Sequence, residues 1–149
     1  PDPQLRELAA SIVSPWADPS RLKLVDSQPK AAIGKLLANL ALAISAEGMK
    51  EALLFGDATG LTAAETLDLL DSTGLSFMAN LKRDFVLGDR STDPGDFTVD
   101  ALCKDSKLML DTAGQVLPGI QAAVESFTIQ QDHGRGDHDF SAILVHRSE

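Results

Sequence analysis

Lys35 stands inside an apolar stretch, between Ile33 and Leu36, and Asn39 follows four residues later. On a helix that spacing puts both side chains on one face. An ammonium beside an amide suits an oxyanion or a carbonyl oxygen, and partial burial would lower the lysine pKa toward that of a usable proton donor. A lysine that snorkels from a helix end explains the same two residues without chemistry. Lys104-Asp105 is a second pair, in which Lys104 reaches an anionic ligand and Asp105 orients it, or both belong to a solvated helix face. His133, Asp137, His138 and Asp139 match no standard ligand spacing, so no metal is expected. Cys103 reads as a small core residue.

The elements that must carry these residues are helical. Residues 5–13 repeat apolar positions every three or four residues, and Pro15 and Asp18-Pro19 end that helix. Residues 21–25, RLKLV, alternate and predict a strand, although a single strand has nothing to pair with. Residues 31–58 contain no proline and predict one helix of roughly 40 Å. Apolar residues surround it between Ile33 and Ile44, which predicts a nearly enclosed central helix. Its longest uncharged run, residues 36–46, is too short to span a bilayer.

Thr62-Ala63-Ala64-Glu65 is a capping box, and Ser76 is placed to cap the helix after it. The polar run GDRSTDPGD predicts a loop over 88–96. A helix over 99–114 places Leu102, Cys103, Ser106, Met109, Leu110 and Ala113 on one face. Pro118 opens another helix, to about Gln130, and Asp139 is placed to cap a last short one over 140–145. From Pro29 onward the prediction is all-α, with about six helices.

Composition limits what such a domain can do. The chain has 149 residues, 13 Lys and Arg against 22 Asp and Glu, and a net charge of −9. That argues against nucleic acid and anionic membranes as partners. One cysteine suits a reducing, cytoplasmic setting. Neither G-x-G-x-x-G nor G-x-x-x-x-G-K-[ST] occurs, so redox or phosphoryl chemistry would need machinery from elsewhere.

Lys35-Leu36-Leu37-Ala38-Asn39, Ala46-Glu47 and Gly60-Leu61 resemble the C-terminal domain of the β-hydroxyacid dehydrogenases, a group related to 6-phosphogluconate dehydrogenase. Phe97, Lys104-Asp105, Leu108 and Ala113 resemble the family's F…KD…L…A stretch, and Pro118 and Asp139-Phe140-Ser141 its closing helices. The resemblance covers about residues 29–144. It implies a 6-phosphogluconate dehydrogenase C-terminal-like all-α domain over 28–149, around one long helix. Residues 1–27 would be the last helix and strand of a nucleotide-binding domain. It implies further that Lys35 is the catalytic lysine, that Asn39 holds a small 3-hydroxyacid, and that Lys104 and Phe97 approach NAD or NADP. The isolated chain would be inactive, and a homodimer or higher homo-oligomer is expected, because an exposed apolar helix finds a partner. One departure stands out. The family's glycines six and four residues before the lysine are Pro29 and Ala31 here, which questions the usual cofactor approach and leaves open an imine-reductase-like relative. A helical interaction module without catalysis is the competing reading.

Overall fold

The computed structural model describes residues 2–149. The described residues form seven α-helices: α1 (Pro3–Val13), α2 (Gln28–Thr59), α3 (Ala63–Leu70), α4 (Ser76–Leu87), α5 (Val99–Ala113), α6 (Pro118–Asp132) and α7 (Ala142–Val145). They contain no strand, only an isolated bridge between Thr98 and Asp139. The all-α expectation holds, with six helices from Gln28 onward.

Two compact units make up the chain, one ending at Leu37 and one from Ala38 to Glu149. In the first, the Asp2 carboxylate caps α1 by accepting from the Gln4 N–H at 2.9 Å, and a 3₁₀ turn over Ser14–Trp16 follows the helix. The strand predicted over 21–25 is absent: Arg21 closes a turn on Asp18, and residues 22–25 are irregular. The physical reason is the one visible in sequence, that no second strand is there to complete a ladder.

The long helix α2 corrects a second expectation. Ile33, Leu37 and Ile44 are 51%, 59% and 42% exposed, so its first half is not enclosed. Burial begins at Ala43 and continues through Ala46, Met49, Leu53 and Gly56, one stripe at helical spacing. Apolar residues on every face do not say which face is covered. Length and hydropathy alone would let α2 cross a membrane. Gly56 lets α3 approach closely, because a β-carbon there would lie 2.2 Å from Thr66 Oγ1.

In the second unit, Leu67, Met78, Phe85, Leu102, Met109, Ile120, Phe127, Ile143 and Leu144 join that stripe in the core. The Thr62–Glu65 capping box forms in full. Ser76 instead becomes the first residue of α4, and Leu75 precedes it without a side-chain cap. Gly88, at φ 83°, ends α4 in a left-handed conformation that costs glycine little. On α5 the buried face is Leu102, Cys103, Asp105, Ser106 and Met109, while Ala113 is exposed. A carboxylate therefore occupies a position in the core.

Candidate functional site

That carboxylate organises the site. Asp105 is 3% exposed. A buried charge of this kind needs compensation, and part of it comes from α2: Asn39 Nδ2 donates to Asp105 Oδ2 at 2.7 Å. Lys104 Nζ lies 3.6 Å from Asp105 Oδ1, with its side chain 76% exposed. Adjacent residues on α5 thus diverge, Asp105 into the protein and Lys104 into solvent. Lys35 is an exposed residue of α2, and Asn39, four residues later on the same helix, is half-buried.

Beside Asp105 runs an open groove of about 580 Å³, lined by Asp100, Cys103, Lys104, Lys107, Leu108, Asp111 and Gln131 among others. Two of these lining residues are joined, Gln131 Nε2 donating to Asp100 Oδ1 at 2.6 Å. Two ammonium groups here face three carboxylates, Asp100, Asp105 and Asp111. Such a groove offers single cationic contacts at its rim and no cradle for a diphosphate, which needs converging N–H groups at a helix start.

The start of α5 is fixed by residues far along the chain. Thr98 Oγ1 caps the helix by accepting from the Ala101 N–H at 3.2 Å. The Val99 and Asp100 N–H groups donate to the carbonyls of His138 and Gly136, both at 2.9 Å. In return Asp139 N–H donates to the Thr92 carbonyl at 2.7 Å, and Phe140 N–H to that of Phe97 at 2.9 Å. The backbones are so close that a β-carbon on Gly95 would sit 2.4 Å from the Asp139 nitrogen, and one on Gly136 would sit 2.6 Å from the Asp100 carboxylate.

Under this junction lies an ion pair that the sequence reading missed. Lys82 Nζ is 2.7 Å from Asp139 Oδ1, with side chains 7% and 0% exposed. The ammonium also sits 4.0 Å from the centre of the Phe140 ring and 4.7 Å from that of Phe85. Asp139 accepts from the Ser141 N–H at 2.9 Å and from its hydroxyl at 2.7 Å. Burial by itself would raise the Asp139 pKa, but the Lys82 and Ser141 donors outweigh it and hold the carboxyl below its usual range. Phe97 belongs here too. Its ring meets Phe140 edge-on at 6.1 Å, and its N–H points at Asp139 Oδ2 at 3.5 Å. Asp139, predicted as a helix cap, serves the ion pair instead, and α7 begins only at Ala142. A signal was present in the sequence: Lys82 shares the buried face of α4 with Met78, Ala79 and Phe85.

The sequence matches a family model described as the NAD-binding domain of NADP-dependent 3-hydroxyisobutyrate dehydrogenase, over residues 30–146. No curated protein matches the chain. Among solved structures, a Mycobacterium tuberculosis 3-hydroxyisobutyrate dehydrogenase, described with L-serine, superposes with a TM-score of 0.59 at 20% identity. The match covers 78% of this chain and 43% of that one, so this chain spans less than half its length.

Proposed function

Since the chain belongs to the family of NAD-binding domains of NADP-dependent 3-hydroxyisobutyrate dehydrogenase, we propose that it is the helical part of an NAD(P)-dependent dehydrogenase. The enzyme would interconvert a small 3-hydroxyacid and its semialdehyde. The observation that supports this reading is the Asn39–Asp105 hydrogen bond, which joins a polar amide of α2 to a buried carboxylate of α5.

In this reading the substrate oxygen is served by Lys35. In reduction its ammonium gives a proton to the oxygen as the carbonyl carbon receives hydride, and in oxidation the neutral amine takes the proton back. Asn39 holds the substrate. Lys104, exposed at the groove rim, contacts the cofactor from the helical side as a single cation. The nicotinamide, when bound, supplies or accepts the hydride. With no G-x-G-x-x-G in this sequence, the diphosphate must be held outside these residues. The 149 residues alone are then inactive. The test is an absorbance assay at 340 nm of the natural full-length protein with NAD and NADP against a panel of 3-hydroxyacids. Turnover of at least one is expected, and none across the panel would remove the assignment.

We further propose a homodimer or higher homo-oligomer in a cytoplasmic setting. Exposed Phe55, Leu69 and Phe77, at 72%, 62% and 61%, support it as surface that association would cover. Light scattering at tens of micromolar should give at least twice the chain mass of 15.8 kDa. A clean monomer would refute it.

A further inference from the structure

We propose that the contact between Glu149 and the loop after α6 is a pH-sensitive latch, shut at neutral pH and opened when His146 takes a proton, and that its opening loosens the start of α5. The chain has three histidines, and all of them gather around this contact. Arg135 Nη1 and Nη2 donate to the two Glu149 oxygens at 2.5 and 3.1 Å. The guanidinium is aimed by Gln130, 2% exposed, whose Oε1 accepts from Nη1 at 2.8 Å. His146 Nδ1 lies 3.3 Å from Glu149 Oε1, the oxygen that Arg135 Nη2 also meets. His133 Nδ1 lies 3.9 Å from the other oxygen, and the His138 N–H donates to the Arg135 carbonyl at 3.2 Å.

With neutral imidazoles the latch holds one guanidinium against one carboxylate. Histidine is the side chain that gains charge as the pH falls from about 8 to about 5. A neutral His146 with its hydrogen on Nδ1 already donates to Glu149, so a further proton adds charge and no new bond there. That charge arrives at an oxygen already paired with Arg135. Burial first, and then the Arg135 guanidinium, hold the His146 pKa below its ordinary value against the pull of Glu149, and His138 adds to the lowering. Glu149 stays ionised, because Arg135 holds its carboxyl below the usual range. The shut latch therefore binds fewer protons than the open one. It is favoured above about pH 6.5 and loses that advantage as the pH falls below it. The other charged groups nearby are engaged or screened. Asp132 and Asp137 are exposed to solvent, Asp100 accepts from Gln131, and Arg147 is committed to Asp57 at 2.8 Å. An ion pair this close to the surface is weak enough for such a change to open it. The loop that carries Arg135 also carries Gly136 and His138, whose carbonyls hold the Asp100 and Val99 N–H groups. Releasing Glu149 frees that loop on one side.

Hydrogen exchange of the protein, read by NMR and corrected for the intrinsic effect of pH, tests this. From about pH 7.5 to about pH 5.5 the protection of the Asp100 amide should fall roughly threefold or more, while that of buried Phe127 in α6 stays level. His146→Gln keeps a donor and never charges, so its Asp100 protection should stay level over the same range. Glu149→Gln should show the low protection already at the upper pH. An Asp100 amide equally protected at both pH values in the wild type would overturn the proposal. So would a loss that persists in full in His146→Gln, or wild-type protection in Glu149→Gln. Thermal melts at the upper pH check that each variant folds, and His146→Asn replaces His146→Gln where that variant does not.

Discussion

On the proposed function, replacing Lys35 by alanine in the full-length protein is expected to lower kcat by ~10²-fold or more and to change KM by a few-fold at most. The asymmetry follows from when the ammonium acts. The substrate oxygen carries little charge when bound and much more as the carbon–hydrogen bond forms or breaks, so a proton donor stabilises the transition state more than the ground state. Lys35→Arg does not restore turnover, since a guanidinium does not release its proton near neutral pH. Lys35→Met separates this from the snorkelling alternative. Lys35 is an exposed residue of α2, so methionine there disturbs little packing. Steady-state turnover of Lys35→Met within a few-fold of wild type would remove Lys35 from the chemistry.

Replacing Lys82 by methionine destabilises the fold by about 3–5 kcal/mol, the usual loss when a buried ion pair loses one partner. For a chain of this size that is a fall in Tm of roughly 10–20 °C. The cause is the Asp139 carboxylate, fully buried and left with the Ser141 donors and the distant Phe97 N–H. Removing both charges, as in Lys82→Met with Asp139→Leu, should recover part of the loss. The pH dependence has opposite signs in the two proteins. In the wild type the folded Asp139 pKa is lowered, so its stabilisation is present above the unfolded value, about 3.9, and is lost as the pH falls through the folded one. In Lys82→Met, burial raises the Asp139 pKa, and protonation relieves the penalty. The gap between the two should narrow as the pH falls below about 4. Thermal melts from pH 7 to pH 3 check both points, and an equal gap at every pH would reject the mechanism.

Much of the fold was legible because its signals are local. Thr62 and Glu65 lie three residues apart, Pro118 stands at the start of α6, and the stripes of α4 and α5 repeat within a turn or two. What was not legible depends on distant partners. Asp105 looked like one half of a surface pair with Lys104 until Asn39, 66 residues away, proved to be hydrogen-bonded to it. Lys82 and Asp139 are 57 residues apart, and neither helix periodicity nor capping rules link them. The exposed first half of α2 has the same origin, since a helix that is apolar all round does not name the surface that will cover it. The misread strand at 21–25 had the alternation but no neighbour, and alternation alone cannot supply one.

The closures between residues 92–100 and 136–140 impose an order of assembly during synthesis. A helix can form as soon as its own residues leave the ribosome, yet the first N–H groups of α5 find their acceptors in Gly136 and His138. The helix that carries Lys104 and Asp105 is therefore translated some 35–40 residues before its start can be locked, several seconds at ordinary elongation rates. Until then its leading turn frays, and the groove it borders has one loose wall. The start of α5 becomes rigid only once Gly136 to Phe140 have been made and have paired with residues 92–100.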